Sequence, residues 1–100
     1  MNYFEQVYNI LKTVPNGKVT TYGDIARALG NPHKSQIVGY ALHVNPDPER
    51  IPCYKVLNRF GALSDSFAFG GKEVQKLMLN NDGIEVVDYK VDLEKYGYRF

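Results

Sequence analysis

The 100-residue chain contains no tryptophan, a single cysteine and no apolar run that approaches the roughly 18 residues needed to cross a bilayer. One cysteine cannot form an internal disulfide bond, which fits a reducing compartment. No signal peptide is visible in the sequence. We therefore expect a cytoplasmic, monomeric protein that has no membrane partner.

An excess of charge of either sign is also absent. Twelve Lys and Arg face 11 Asp and Glu, which leaves a net charge of +1 and no general attraction to nucleic acid. The charge is nevertheless unevenly placed, because residues 16–43 carry three basic side chains and both histidines against Asp24 alone. This asymmetry predicts a mildly basic face near the middle of the chain.

Recognisable cofactor and metal motifs are missing as well. The sequence has no P-loop, no dinucleotide-binding fingerprint and no internal repeat. The two histidines, His33 and His43, are ten residues apart and have no carboxylate at ligand spacing, which argues against a metal site. We expect neither a metal nor a cofactor.

What is present fits one small globular domain over residues 1–100, with 44% apolar and 23% charged residues. Apolar residues at helical spacing predict an amphipathic helix over residues 2–13, with Asn2 as its cap. A second such helix is predicted over residues 72–81. The residues of this helix expected to face inward are Val74, Leu77 and Met78.

Two later stretches have strand-like alternation. Residues 55–57 predict a short strand and residues 62–64 its return, which together predict a small β-hairpin. Residues 84–100 predict a terminal strand, to about residue 92, and an aromatic tail that packs on the body. The predicted fold is therefore mostly α with a small β-hairpin. Lys55 is expected to be either a solvated charge or a phosphate contact.

Residues 21–44 have the pattern of a helix-turn-helix. Thr21 and Asp24 resemble a capping box, and the Gly-Asn-Pro sequence at residues 30–32 ends the first helix. Ser35 can cap the second helix, which runs to about His43. Short helices joined by about five residues favour helix-turn-helix geometry. Many helical hairpins of this kind do not touch DNA, so both interpretations stay open.

Cys53 follows a proline within the segment 51–58, which we take as the candidate active-site segment. Free cysteine is among the most buried residue types, so one interpretation is a small core residue. A thiolate is also the strongest common side-chain nucleophile, so the other interpretation is a reactive cysteine. Composition alone favours the first.

Several short motifs together resemble the C-terminal domain of the O6-alkylguanine-DNA alkyltransferases. They are Gly17-Lys-Val-Thr-Thr-Tyr22, Gly30-Asn-Pro32, Val38-Gly-Tyr-Ala-Leu42, Asn45-Pro46, Ile51-Pro-Cys53, Gly61-Ala-Leu63, Gly70-Gly71 and Asp82-Gly83. The resemblance covers about two-thirds of the chain. It implies a winged helix-turn-helix-like fold and a DNA-repair function. An O6-alkylated guanine in double-stranded DNA is flipped out of the helix, and its alkyl group moves irreversibly to Cys53.

The resemblance also implies roles for individual residues. Tyr22 helps to rotate the nucleotide, Asn45 braces the turn beside Cys53, and Gly39 allows the second helix to enter the minor groove. The implied DNA-binding residues are Thr21, Tyr22, His33, Lys34, Ser35, Gln36, Gly39 and Tyr40. The implied base pocket contains Val56, through its carbonyl, together with Gly70 and Gly71. The implied catalytic set is Cys53, Tyr54, Asp82 and Asn45.

Some positions depart from the family pattern. The family motif Pro-Cys-His-Arg-Val is Pro-Cys-Tyr-Lys-Val here, so Tyr54 replaces the histidine that relays the thiol proton, and Asp82 replaces the glutamate that receives it. A phenol is a poor base at neutral pH, so transfer is expected to be slower. Gln36 replaces the arginine that fills the gap left by the flipped base.

A longer loop between Gly61 and Gly70 and the small size resemble the alkyltransferase-like proteins. Those proteins bind alkylated DNA without repairing it and recruit nucleotide excision repair proteins, but they lack the cysteine. Alkyl transfer to Cys53 is the first hypothesis, and a non-catalytic lesion sensor with nucleotide excision repair partners is the alternative. A third is a DNA-binding regulator or protein-interaction domain in which Cys53 is structural.

Overall fold

The computed structural model describes residues 2–100, so Met1 of the expected domain lies outside the described residues. The described chain forms five α-helices, one 3₁₀ turn and a two-stranded sheet. In chain order these are α1 (Tyr3–Leu11), β1 (Thr20–Thr21), α2 (Tyr22–Ala28), α3 (Ser35–His43), the 3₁₀ turn (Cys53–Lys55), β2 (Val56–Leu57), α4 (Gly71–Asn81) and α5 (Leu93–Tyr96). None of the described helices is long and apolar enough to cross a membrane.

Side-chain caps set the starts of the first two helices. The Oδ1 atom of Asn2 accepts a hydrogen bond from the Glu5 N–H at 2.9 Å, and Thr21 Oγ1 accepts one from the Asp24 N–H at 3.1 Å. Both caps were expected from the sequence. The expected cap by Ser35 is wrong, because α3 already contains Ser35 and its cap residue, Lys34, makes no side-chain cap bond.

The two strands lie side by side in parallel, with Thr20 opposite Val56 and Thr21 opposite Leu57. This pair takes the place of the expected hairpin, because β2 pairs with an earlier strand and not with the residues that follow it. The connection between the strands contains α2 and α3. The pairing therefore brings the segment that carries Cys53 beside the start of the helix-turn-helix.

The chain after β2 turns at Asn58 and leaves the sheet. The Asn58 Oδ1 atom accepts hydrogen bonds from the N–H groups of Phe60 at 2.9 Å and Ala62 at 3.0 Å. Asparagine side chains favour such turns because they bond the backbone that follows them. The Leu63 N–H then donates to the Tyr89 carbonyl at 2.9 Å. The return segment therefore pairs with the C-terminal region and not with β2.

The strand expected over residues 84–92 is not formed. Asp88 and Tyr89 both have positive φ values, 50° and 59°. Val87 and Lys90 exchange backbone hydrogen bonds of 2.9 and 3.0 Å across them. Two central residues with positive φ define a type I′ turn, which reverses the chain where the alternating pattern predicts continued extension.

Two apolar clusters hold the fold together. The first joins α1, α2 and α3 to the segment after them, and its buried members include Val7, Leu11, Ile25, Ala26, Val38, Ala41, Cys53 and Val56. The second contains Val19, Leu57, Leu63, Leu79, Ile84 and Val91. The C-terminal tail packs on the body as expected: the Tyr98 N–H donates to the Val19 carbonyl at 2.8 Å, Tyr98 packs against the first cluster and Tyr96 packs against the second.

The buried face of α4 differs from the expected one. Leu77, expected to face inward, is 62% exposed, whereas Gln75 and Leu79 are 1% and 0% exposed. Residues four apart lie on one helix face, so Gln75 and Leu79 define the inward stripe. A hydrophobicity pattern cannot locate a stripe that is built partly from a polar side chain.

Candidate active site

Cys53 begins the 3₁₀ turn that precedes β2. The residue is buried and also lines a pocket. Its side chain is 7% exposed and belongs to the first apolar cluster. It also lines a cavity of about 110 Å³. Cys53 therefore has a feature of each interpretation, because it packs in the core and also borders a cavity.

The pocket draws its walls from four segments that are far apart in sequence. Its lining residues are Tyr22 from α2, Gly39, Leu42 and His43 from α3, Cys53 from the 3₁₀ turn, and Ser64, Ser66, Phe67 and Ala68 from the loop before α4. Pockets for drug-sized ligands measure roughly 300–1,000 Å³, so this one admits only a compact group. The helix-turn-helix and the thiol therefore share one small cavity.

The three expected pocket residues are not among the residues that line this cavity. Val56 is buried in β2 with 1% exposure. Gly70 is the cap residue of α4 with a φ of 129°, where an added Cβ atom would lie 2.4 Å from a Val74 methyl group, and Gly71 begins the helix. The two glycines therefore shape the start of α4, and residues 64–68 form the wall.

A larger open hollow of about 580 Å³ lies between α2 and the C-terminal tail. It shares Thr21 with the expected DNA-binding residues but contains none of the residues around the thiol. Its size does not make it the reactive site, because no candidate nucleophile faces it.

Asn45 holds the loop that leads to Cys53. Its side chain is 6% exposed. The Nδ2 atom donates to the Ile51 carbonyl at 2.8 Å, and the Oδ1 atom accepts from the Asp47 N–H at 2.8 Å. Because both ends of the amide are used on backbone groups, the side chain fixes the loop from residue 45 to residue 51. This is the bracing contact that the resemblance implies for Asn45.

The surroundings of Cys53 favour the neutral thiol. Burial raises the pKa of Cys53 above its ordinary value, and this effect outweighs hydrogen bonds from the Asn45 side chain and from the backbone of Cys53 and Tyr54, which act in the opposite direction. The thiolate is the nucleophilic form, so the resting fraction of reactive sulfur at neutral pH is smaller than for a free cysteine.

Tyr54 cannot act as the base that the family histidine provides. Its hydroxyl lies 3.4 Å from the Oδ2 atom of Asp82, which is a long hydrogen bond. Burial first, and then the charge and hydrogen bonding of Asp82, raises the pKa of Tyr54 to about 12. The phenolate fraction at pH 7 is therefore on the order of 10⁻⁵, too small for efficient proton abstraction.

Lys55 has a role that the sequence did not reveal. Its side chain is buried, with its Nζ atom 3.3 Å from Asp82 Oδ2 and 2.9 Å from the Pro15 carbonyl oxygen. Neither expectation for Lys55 is therefore correct, because it is neither solvated nor free to meet a phosphate. Asp82, the expected proton acceptor, is already engaged by a buried cation.

Four of the eight expected DNA-binding residues lie on α3, namely Ser35, Gln36, Gly39 and Tyr40, and His33 and Lys34 directly precede it. His33, Lys34, Gln36 and Tyr40 are exposed, and Tyr40 reaches 60% exposure while it packs edge-on against Phe4. Ser35 is half-buried in the first turn. An exposed aromatic and amide surface of this kind fits a groove-binding helix.

Three of the eight expected DNA-binding residues, Thr21, Tyr22 and Gly39, make contacts within the protein. Thr21 is 7% exposed and its hydroxyl caps α2. Tyr22 lies half-buried under Gly39, where an added Cβ atom would stand 3.9 Å from the Tyr22 ring. The hydroxyl of Thr21 is thus engaged inside the protein, whereas Tyr22 and Gly39 both line the pocket.

Sequence reasoning missed the wall residues and Gln75. Ser64, Ser66 and Ala68 line the pocket, and the buried Gln75 amide bonds to the backbone of Ser64 and Tyr54. Gln75 carried no signal in the sequence, because the hydrophobicity pattern placed the inward face of α4 at Val74, Leu77 and Met78. Small serines in a loop gave no signal at all.

The chain belongs to the O6-alkylguanine-DNA alkyltransferase family. Residues 2–84 match the family model described as 6-O-methylguanine DNA methyltransferase, DNA binding domain. The fold expectation is confirmed in its main statement, since the helical, helix-turn-helix-like architecture is that of the alkyltransferase C-terminal domain.

Two relatives and one solved structure place the chain within the family. It is 40% identical over 98 residues to a bifunctional methyltransferase/endonuclease of Picrophilus torridus, covering 98% of this chain but 32% of that protein. The chain thus spans about a third of that relative's length. It is 33% identical over 103 residues to alkyltransferase-like protein 1 of Schizosaccharomyces pombe, covering 97% of this chain and 94% of that one.

The solved structure is that of S. pombe Atl1 in complex with damaged DNA containing O6-carboxymethylguanine. It matches this chain with a TM-score of 0.86 and 33% identity, over 97% of this chain and 94% of that chain. The similarity therefore extends over nearly the whole of both molecules.

Proposed function

We propose that this protein recognises O6-alkylguanine in double-stranded DNA and that Cys53 accepts the alkyl group once and irreversibly. The observation that carries the proposal is the position of Cys53 on the wall of a compact pocket whose other walls come from α2, α3 and the loop before α4. The alkyl group of a base in a duplex is hidden in the stack, so the nucleotide must leave it, at a cost of a few kcal/mol. A pocket that opens beside the DNA-binding helix shortens the path from the stack to the thiol.

The chemical step conserves atoms and charge without a cofactor. The Cys53 sulfur, as thiolate, attacks the alkyl carbon; the new S–C bond forms as the bond between that carbon and guanine O6 breaks. The thiol proton is balanced by protonation of the released guanine, so the products are S-alkylcysteine and unmodified guanine. Because the sulfur is consumed, each molecule reacts once and a slow step is tolerable.

The surroundings of the thiol predict slow transfer. The raised pKa of Cys53 reduces the thiolate fraction, and Tyr54, with a pKa of about 12, supplies no base. The proton therefore leaves to solvent or to the bound base. General base catalysis contributes typically 10²- to 10⁴-fold, and this contribution is missing here.

The same observations favour a second candidate function, lesion binding without transfer. A relative of nearly the same length, from S. pombe, is named as alkyltransferase-like, and another relative is named as a methyltransferase. In the second candidate function the pocket holds the flipped base, Cys53 stays unmodified, and the bound complex marks the lesion for nucleotide excision repair. The two candidate functions share the recognition step and differ only in the fate of the thiol.

Equilibrium binding tests the shared recognition step. Fluorescence anisotropy compares one duplex containing O6-methylguanine with the same duplex containing guanine, at one stated salt concentration, because phosphate contacts make affinity salt-dependent. We expect at least about tenfold tighter binding to the modified duplex, and we expect Cys53→Ser to retain it, since recognition resides in the pocket. Equal affinity for the two duplexes contradicts the proposed function in both forms.

A further inference from the structure

Gln75 is a polar side chain that is 1% exposed in the middle of α4. Its Oε1 atom accepts a hydrogen bond from the Ser64 N–H at 3.1 Å. Its Nε2 atom donates to the Tyr54 carbonyl at 3.1 Å and lies 3.5 Å from the Val56 carbonyl oxygen. An N–H group accepts nothing and a carbonyl donates nothing, so the partners fix which end of the amide faces which segment.

The two segments that Gln75 joins both border the pocket. Tyr54 directly follows Cys53 in the 3₁₀ turn, and Ser64 begins the wall formed by residues 64–68. One side-chain amide therefore connects the turn that presents the thiol to the wall that shares the cavity with it. A change in this connection changes the space available beside the sulfur.

Internal hydrogen bonds hold the wall at residues 64–68 together, so the contacts at its two ends determine its position. The Ser66 N–H donates to Ser64 Oγ at 3.0 Å, and the Phe67 N–H donates to the Ser64 carbonyl at 3.2 Å. The rings of Phe67 and Phe69 meet edge-on at 5.9 Å. The Gly71 N–H, at the start of α4, donates to the Phe67 carbonyl at 2.9 Å. The later end of the wall is thus attached to the α4 backbone and its first residue to Gln75.

We infer that Gln75 is a positioning residue that sets the space between the Cys53 sulfur and the wall at residues 64–68, and so selects compact alkyl groups over bulky ones. For its natural ligand this inference rests on the proposed function. The spacing itself is a property of the folded protein and can be measured without DNA. Buried, fully bonded amides suit this role because breaking either half leaves a buried backbone group without a partner.

The test uses the single cysteine as its own probe. Methyl methanethiolsulfonate and benzyl methanethiolsulfonate react with the Cys53 thiolate by the same displacement, which forms a mixed disulfide and releases methanesulfinate. The ratio of the methyl to the benzyl rate constant cancels the thiolate fraction, because both reagents meet the same protein. Unfolded protein reacts with both reagents without steric selection, so the ratio reports the space beside the sulfur when each variant is folded, and a destabilised control variant is measured alongside.

Three substitutions of Gln75 test the donor and the acceptor hydrogen bonds of its amide separately. Gln75→Met keeps the length of the side chain and removes every hydrogen bond. Gln75→Lys keeps donors for the Tyr54 and Val56 carbonyls but cannot accept from Ser64, whereas Gln75→Glu accepts from Ser64 but donates to neither carbonyl. Ile84→Val, in the second apolar cluster and outside the pocket lining, is the control for moderate destabilisation.

We expect Gln75→Met to lower the methyl-to-benzyl rate ratio by at least about fivefold, Gln75→Lys and Gln75→Glu to lower it by less, and Ile84→Val to leave it unchanged. An unchanged ratio in all three Gln75 variants, with circular dichroism showing folded protein, overturns the inference. In the DNA arm, the same variants are expected to lose discrimination between O6-methylguanine and O6-benzylguanine duplexes. Wild-type protein that does not distinguish modified from plain DNA contradicts the proposed function alone, since the reagent ratios still decide the role of Gln75.

Discussion

The Nζ atom of Lys55 lies 3.3 Å from the Oδ2 atom of Asp82, with the two side chains 3% and 11% exposed. Lys55 also donates to the Pro15 carbonyl at 2.9 Å. This buried pair attaches the thiol-bearing turn to the C-cap of α4 and to the turn after α1. The same Oδ2 atom also accepts the long hydrogen bond from the Tyr54 hydroxyl, at 3.4 Å.

Removal of one partner of this pair is expected to destabilise the protein strongly. Lys55→Met or Asp82→Asn should each lower the free energy of unfolding by about 3 kcal/mol, because the remaining group stays buried without its partner. The double variant Lys55→Met/Asp82→Asn should recover at least about half of the summed loss, since no charge remains unpaired. Urea unfolding of the four proteins measures the coupling directly.

The matched control for this cycle is the exposed pair of Lys72 and Asp65. Its Nζ–Oδ1 distance is also 3.3 Å, but the side chains are 38% and 83% exposed. Lys72→Met should therefore change the free energy of unfolding by less than about 0.5 kcal/mol. A comparable loss at both sites would show that burial of Lys55 has no energetic consequence.

Replacement of Tyr54 tests whether the phenol takes part in activation of the thiol. Because its pKa is raised to about 12, Tyr54→Phe should change the rate of Cys53 alkylation by less than about threefold. Tyr54→His places a base of suitable pKa beside Asp82 and should raise the rate by at least about tenfold. Rates follow from quenched mixtures with an O6-methylguanine duplex. A tenfold or larger loss in Tyr54→Phe would show that the phenol participates.

The raised pKa of Cys53 gives the reaction a pH dependence of definite sign. The thiolate fraction rises about tenfold per pH unit well below the thiol pKa, so the rate with iodoacetamide should reach half of its plateau at a higher pH than for an ordinary cysteine, which is half ionised near pH 8.5. Asn45→Ala removes a hydrogen bond that lowers this pKa and should shift the profile to still higher pH. A plateau below pH 8 in the wild-type protein would contradict the described surroundings of the thiol.

Substitution of Gly39 is expected to affect the stability of the protein and its binding to DNA in opposite directions. An alanine Cβ atom would stand 3.9 Å from the Tyr22 ring, an ordinary contact, and glycine costs a helix interior up to about 1 kcal/mol relative to alanine. Gly39→Ala should therefore unfold at equal or higher urea concentration. Under the proposed function it should also bind an O6-methylguanine duplex about tenfold more weakly, because the new methyl group narrows the pocket that Gly39 lines. Unchanged lesion affinity would place the bound base elsewhere.

Local signals allowed much of the helical structure to be predicted. Asn2 and Thr21 each supply a side-chain acceptor at the start of a helix. Such caps depend on residues three positions apart, so they can be predicted directly from the sequence. The Asn-Pro and Pro-Cys motifs between α3 and β2 are also local signals, and with the other short motifs they carried the resemblance to the family. Prediction succeeded where the determining residues are near each other in sequence.

Prediction failed where distant residues decide the outcome. The sequence predicts a surface charge at Lys55 because its partners, Pro15 and Asp82, are remote in sequence. Only the fold brings the three residues together. The hairpin was expected from local alternation, whereas β2 pairs with a strand that precedes two helices. The burial of Gln75 was missed for a third reason: a hydrophobicity pattern counts glutamine as polar and therefore assigns it to the exposed face of the helix.

Intact-protein mass spectrometry after mixing with an O6-methylguanine duplex tests the central claim most directly. The proposed transfer predicts that the protein gains about 14 Da, one CH₂ unit, on a peptide that contains Cys53, with a rate that increases with pH. Cys53→Ser should bind the same duplex and gain no mass. Wild-type protein that binds the modified duplex for hours at pH 8.5 and remains unmodified would contradict alkyl transfer and leave lesion binding as the function.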